Sequence, residues 1–269
     1  MVKRIFSATY LWAILIIMYA PILLLVVYSF NASNEMGIWS KEWNFSLYKM
    51  LFTDTKILEA IKTTFLLAIS SATISTILGT MGAIGMFYSK KRTFRLLNTA
   101  TQIPIVNAEI VTAISIALVC SMFLFPRTYA SLLIAHIVLT FPFVVTSVIP
   151  KLKQMDPNLY EAGLDLGASP FKVLTTIVLP ELLPGIASGF MIAITLSLDD
   201  YIITNFTKPA TIDTISTYAY NAYAKNAANT SIPALRALSA IIFLVIIVFV
   251  VAVNISSNKK SKALQGDKK

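Results

Sequence analysis

Residues 8–30 form a run of twenty-three without a single charge. An α-helix rises about 1.5 Å per residue, so this run is long enough to cross the ~30 Å hydrocarbon layer of a bilayer. No water reaches that layer to satisfy backbone groups, and a helix satisfies them within itself. The basic start Met1-Val2-Lys3-Arg4 makes a signal peptide the competing reading. The run is too long for one, and no small-x-small cleavage site follows Tyr28, so it is expected to remain as a first span.

Five further spans are expected, over about 65–88, 103–125, 129–149, 182–204 and 235–255. Composition agrees with this reading. The 269 residues are 57% hydrophobic and only 13% charged. Mean hydropathy is +0.74. Soluble domains rarely carry so few charges. There is no internal repeat and no stretch resembling a soluble domain. The expected fold is all-α, a polytopic membrane helical bundle with six spans, residues 1–269 making one transmembrane domain. Ser75, Gly79, Gly82 and Gly85 lie near one another on the second span, and small residues let helices approach closely in lipid. Trp39, Trp43 and Tyr48 suit a membrane interface. The single cysteine, Cys120, excludes an internal disulfide.

Six spans put both ends on one side, and basic residues choose the side. The N-terminus, the 89–95 turn, the 151–180 loop and the tail hold fourteen of the 22 Lys and Arg. The other eight are Lys41, Lys49, Lys56, Lys62, Arg127, Lys208, Lys225 and Arg236, all counted on the opposite side. The excess places both termini and the 151–180 loop in the cytoplasm. It also accounts for the net charge of +9 without nucleic acid. The tail from Lys259 is polar and basic and is expected to be mobile.

The 151–180 loop reads as two short helices around a tight turn. Asp156-Pro157 is a cap followed by a proline at the first helical position. Gly167 suits a left-handed helix end. Ser169-Pro170 repeats the start, and Pro180 is expected to close the second helix. Leu159, Ala162, Gly163 and Leu166 fall at i, i+3, i+4 and i+7 and share a small apolar face. Tyr160 and Leu164 add apolar surface on another side, and Glu161 and Asp165 project together. Such a helix is expected to dock into a partner.

Glu161-Ala162-Gly163, then Gly167, then Ile177-x-Leu179-Pro180 resembles the EAA loop of ABC importer permeases. Gly163 stands where that pattern has a second alanine, which keeps the position small. The resemblance implies the type I ABC importer permease fold. It also implies that Glu161, Ala162, Gly163 and Gly167 belong to a coupling helix seated on a cytoplasmic ATPase.

The expected spans hold three carboxylates, Glu109, Asp199 and Asp200, and no Lys or Arg is counted within them, Arg236 at the edge of the sixth being assigned to the outer side. A charge at membrane depth costs about 2.5–3.5 kcal/mol on insertion scales. The acids are therefore expected either to pair with a second subunit or to line a cavity whose cation is the cargo. Being adjacent, Asp199 and Asp200 point about 100° apart on a regular helix, so one of them is expected to face cargo more than the other. Leu196-Ser197-Leu198-Asp199-Asp200-Tyr201-Ile202-Ile203-Thr204 is similar to a segment of spermidine/putrescine permeases. Pro104-x-x-x-x-Glu109-Ile110-Val111 resembles their third-span segment, with Ala108 replacing the proline before the acid. With the EAA loop, the resemblance covers most of the chain, and it is strongest to the second permease subunit of that family.

That resemblance implies a polyamine substrate path through Asp199, Asp200, Glu109 and Tyr201. It implies four kinds of partner: a paralogous permease subunit, two cytoplasmic ATPase subunits, an extracytoplasmic substrate-binding protein and the lipid bilayer. Tyr218, Tyr220 and Tyr223 also offer aromatic faces to ammonium groups, or form an interfacial belt. No phosphate-binding G-x-x-x-x-G-K-[ST] occurs, so ATP and Mg are expected on the partner ATPase and no catalytic residue here. His136 is alone on an apolar span and is expected to be a hydrogen-bonded helix residue, with no metal site. Two readings stay open beside polyamine import. One is a permease for another cation, such as iron, thiamine or a basic amino acid. The other is a membrane enzyme or a proton-coupled carrier using the three acids as a relay.

Overall fold

The computed structural model describes residues 2–31, 33, 39–156, 158–224, 232–245 and 247–248. Pro157, Lys225, the end of the sixth expected span and the tail from Lys259 lie outside them. The chain divides into two compact units, one of residues 1–58 with 219–269 and one of residues 59–218. Among the described residues the only strand-like pairing is the single bridge between Asn31 and Trp43. Everything else regular among them is helical.

In the first unit, α1 runs over Val2–Ser29 and α2 over Ser46–Thr53. Residues 9–24 of α1 all face outward, and their apolar surface suits lipid or another chain. Its end is tied to the segment that follows. Asn31 accepts from the Ser40 backbone N–H at 3.0 Å and donates to the Ser40 carbonyl at 2.9 Å. Ser29 and Tyr48 share a hydrogen bond at 2.8 Å. Rings of Tyr28, Trp39 and Trp43 stack in sequence, and Phe30 meets Phe45 and Tyr48. Arg236 departs from expectation. It is 1% exposed, inside the helix Ile232–Val245, although it was counted with the basic residues of the outer side. Its Nη1 donates to the Ser33 carbonyl at 3.0 Å, and its guanidinium lies 6.0 Å from the Tyr28 ring centre. A guanidinium is buried only with such partners.

The second unit is built around α6, Tyr129–Gln154. α3, Thr55–Phe87, enters it at Glu59, and α9, Leu179–Asp199, packs along α6. Val144 shows why small residues are needed there. A Cβ added at Gly79 on α3 would lie 2.8 Å from Val144 Cβ, and one at Gly189 on α9 would lie 3.1 Å from Val144 Cα. Ser75 bonds Thr140 at 2.6 Å, and Gly82 faces Phe141, while Gly85 meets nothing. Three of the four small residues on the second span thus serve packing. Val145, Val148, Ile149 and Leu152 complete the core with Val178 and Leu182.

Among the described residues, four helices without a sharp bend are long and apolar enough to cross a membrane: Thr9–Ser29, Thr55–Phe87, Tyr129–Gln154 and Pro170–Asp199. The second starts ten residues before the expected 65. The third expected span, 103–125, is not one helix. α4, Lys91–Val106, and α5, Glu109–Met122, meet at 106°. Pro104 removes a backbone donor one turn before the bend, and Asn107 and Ala108 adopt extended geometry. The fifth span ends at Asp199 rather than 204, because the chain breaks at Asp200 and restarts as the short α10, Ile202–Thr207. Residues 235–245 of the sixth expected span lie in the apolar helix Ile232–Val245.

Pro180 does not close the helix begun at Pro170. α8, Pro170–Val173, passes through one π-helical turn, Leu174–Val178, directly into α9. The wider turn shifts the hydrogen-bond register just before a residue that has no N–H to give.

Candidate functional site

Two regions of the second unit carry the residues singled out above. The first is the 151–180 loop. The Asp156 carboxylate accepts from the Asn158 N–H at 2.9 Å and opens α7, Asn158–Asp165. Gly167 has φ +81°, and around it the Ala168 N–H bonds the Gly163 carbonyl while the Gly167 N–H bonds that of Leu164. This double closure is the Schellman helix end. Ser169 caps the next helix, accepting from the Lys172 N–H, with Pro170 at its start.

The faces of α7 differ from the expected ones. Gly163 is buried, and a Cβ there would come within 2.9 Å of Val173 Cγ2 and 3.0 Å of Ile177 Cδ1. It therefore faces α8 and the π turn, not the outer surface. Tyr160 packs into the core and lies 5.1 Å from the Tyr88 ring. Tyr160, Gly163 and Leu164 are themselves i, i+3 and i+4, and the large aromatic decides which stripe turns inward. Leu159, Ala162, Glu161 and Asp165 are exposed. Leu166 at 89% and Phe171 at 77% exposure add further exposed apolar surface to the same loop.

The second region is the break after α9. Asp199 is its last helical residue and is exposed. Asp200 is 8% exposed. Its Oδ1 accepts from the Ile203 N–H at 3.1 Å, and its Oδ2 accepts from the Thr204 N–H and hydroxyl, each at 2.7 Å. The Asp200 carbonyl accepts from the Ser216 hydroxyl at 2.6 Å. Asp200 thus serves the first turn of α10 as a capping carboxylate. The two aspartates differ because the helix stops between them, not because a continuous helix turns them 100° apart. Tyr201 sits half-buried between α9 and α10.

Glu109 lies elsewhere in kind. It is exposed in the first turn of α5, after the 106° bend. There its charge meets the positive end of the helix dipole. Sequence reasoning took it as an acid within one continuous span. α10 packs on both α5 and α6, with Ile203 buried against Ala113 and Ala135. Lys208, from the 205–233 loop, pairs with Asp213 at 2.8 Å.

Sequence reading missed the polar chain that supports Asp200. His136 Nε2 is 2.9 Å from Thr204 Oγ1, and Nδ1 is 2.7 Å from Ser197 Oγ. Ser71 on α3 donates to Ser197 at 3.1 Å. The signal present in the sequence was a lone histidine on an apolar span, with Ser and Thr on the neighbouring spans.

Residues 75–260 match the family described as binding-protein-dependent transport system inner membrane component. The chain is 32% identical over 206 residues to the spermidine/putrescine transport system permease protein PotC of Escherichia coli (strain K12). That match covers 77% of this chain and 78% of that protein. It is also 32% identical over 213 residues to the putrescine transport system permease protein PotI of the same strain, covering 73% and 74%. In fold it is similar to a chain in the crystal structure of a bacterial alginate ABC transporter in complex with alginate pentasaccharide-bound periplasmic protein. The TM-score is 0.67 at 20% identity, over 92% of this chain and 91% of that one. The EAA-like loop, the spans and these matches agree, and the chain belongs to the family of binding-protein-dependent transport system inner membrane components.

Proposed function

We propose that this chain is one permease subunit of an ATP-driven importer and that its cargo is a polyamine of the spermidine/putrescine class. The observation that carries the cargo is Asp199. It is exposed at the C-terminal end of an apolar span and makes no ion pair with any described residue. The last carbonyls of α9 add negative potential there, which favours a cation. A polyamine offers ammonium groups for charge-assisted hydrogen bonds and methylenes for apolar walls. Tyr201 next to the acid, Tyr218, and Glu109 at the other break complete the proposed path, with cation–π contact worth ~0.5–2 kcal/mol. Relatives named for spermidine and putrescine transport support the same cargo.

In this reading residues 1–269 form one permease domain that pairs with a paralogous permease. Two ATPase subunits bind on the cytoplasmic side and hold ATP and Mg. A binding protein delivers cargo from outside. Both termini and the 151–180 loop face the cytoplasm, on the basic-residue bias. The exposed surface of Leu159, Ala162, Leu166 and Phe171, with Glu161 beside it, seats on the ATPase.

Uptake of labelled spermidine and putrescine by cells with and without this chain tests the cargo. Accumulation that depends on the chain is expected for at least one of them. Dependence for a basic amino acid instead would replace the cargo assignment. The docking surface is tested separately. Gly167→Val puts a β-branched residue at φ +81°, costing at least about 1–2 kcal/mol, and Glu161→Lys reverses a charge beside the apolar surface. Both are expected to abolish uptake while the chain remains in the membrane, and normal uptake in both would sink the coupling role.

A further inference from the structure

One side chain spans the break between α9 and α10. His136, on α6, is fully buried and touches both sides of that break. Ser197, bonded to Nδ1, lies two residues before Asp199. Thr204, bonded to Nε2, lies five after it. The donors run in one direction. The Ile203 and Thr204 N–H groups both donate to the Asp200 carboxylate, and so does the Thr204 hydroxyl. Thr204 Oγ1 is then the acceptor for the His136 Nε2–H, and Nδ1 is left to accept from Ser197, which accepts from Ser71. Asp200 Oδ2 is 3.6 Å from Nε2, at the end of this chain.

Every member of this hydrogen-bonded network is buried, in a setting where an unpaired polar atom is costly and a complete network is rigid. Ser131, one and a half turns earlier on α6, donates to the Thr207 carbonyl at 3.1 Å and ties down the other end of α10. A flat ring with one donor and one acceptor on opposite edges sets a separation that a flexible side chain does not. We infer that His136 is a positioning residue for cargo recognition. It holds Ser197 and Thr204 at a set distance, and so fixes where α9 stops and where the exposed Asp199 carboxylate stands. This inference rests on the reading of Asp199 as the cargo contact. His136 itself does not touch cargo.

The test uses the assembled complex of this chain with its partner permease and ATPase subunits, without binding protein. The Kd for labelled spermidine is measured for His136→Leu, His136→Gln, Asp199→Asn and the pairwise combinations. His136→Leu is expected to raise the Kd about tenfold, a change of about 1.4 kcal/mol. His136→Gln keeps a donor and an acceptor and is expected to recover part of that loss. In the Asp199→Asn background His136→Leu is expected to add nothing, because the group it positions no longer carries charge. An unchanged Kd in the assembled leucine variant, or losses that simply add, overturns the positioning role and leaves the cargo reading standing. An unchanged Kd for Asp199→Asn alone overturns the cargo reading instead. If the leucine variant does not co-purify with its partners, Thr204→Val decides. It keeps the shape and removes one arm of the bridge, and the same outcomes apply.

Discussion

Glu109 begins a helix after one broken span, whereas Asp199 ends a helix at another, and the two breaks are built in opposite ways. At the first, Asn107, Ala108 and Glu109 are all exposed, and Ala108 offers no side chain to cap α5. The nearest side-chain bond, Asn107 to Thr112, is 3.5 Å long. Proline and a sharp bend make this break, and little holds it. At the second, no proline is present. Asp200 caps α10 from inside the protein, and His136, Ser197 and Thr204 complete its surroundings. The same signal, a carboxylate in an apolar run, therefore carries two meanings. A helix N-terminus compensates the Glu109 charge, while a helix C-terminus reinforces that of Asp199.

The largest effect is expected at the buried acid. Asp200→Asn puts an amide donor against the Thr204 or Ile203 N–H and loses charge-assisted bonds worth about 1.5–3 kcal/mol each. A lower melting temperature of the purified complex and a smaller yield of assembled complex are expected. If Asp200→Asn matches the native complex in both, the break is not held by its network and the contrast between the two sites fails.

A loss of binding without loss of assembly is expected one residue earlier. Asp199→Asn removes one charge-assisted bond to an ammonium, a change of about 1.5–3 kcal/mol that weakens cavity affinity roughly tenfold to hundredfold. Spermidine titration of the purified complex reads this directly, with co-purification of the ATPase as the control. A variant that assembles poorly but binds normally would reverse the roles given to the two aspartates.

The smallest effect is expected at the first break. Glu109→Gln gives up a charge that the helix N-terminus already compensates by about 0.3–1 kcal/mol, so its contribution to the path is weak and spermidine Kd should change less than about fivefold. A hundredfold change there would make the two breaks equal partners in binding. Ala108→Ser sharpens the comparison from the other side. It supplies the missing cap and should stabilise α5 by about 1 kcal/mol, seen as a raised melting temperature.

Local rules made much of the 151–180 loop readable in advance. Gly167 at a left-handed helix end and Ser169-Pro170 at a helix start depend only on residues within one turn. The same rules failed at Pro180. A proline forbids one hydrogen bond, but the packing of Val178 and Leu182 against α6 favours continuing the helix, and a π turn reconciles the two. They failed also for the face of α7. Two stripes of apolar residues were available, and contact of Tyr160 with the core chose between them. Arg236 was counted with the basic residues of the outer side, yet the Ser33 carbonyl and the Tyr28 ring supply a buried place for it.

Length and charge pattern by themselves determined that this chain is a helical membrane protein, because a backbone crossing hydrocarbon must satisfy its own hydrogen bonds. Motif spacing determined the family and the position of the EAA-like loop. Only the tertiary structure decided that Asp199 is exposed while Asp200 is enclosed. That choice depends on His136 and Ser71, which lie 63 and 128 positions before Asp199 in the chain. No spacing rule links residues that far apart. Their geometry exists only once α3, α6 and α9 have packed through Gly79, Val144 and Gly189.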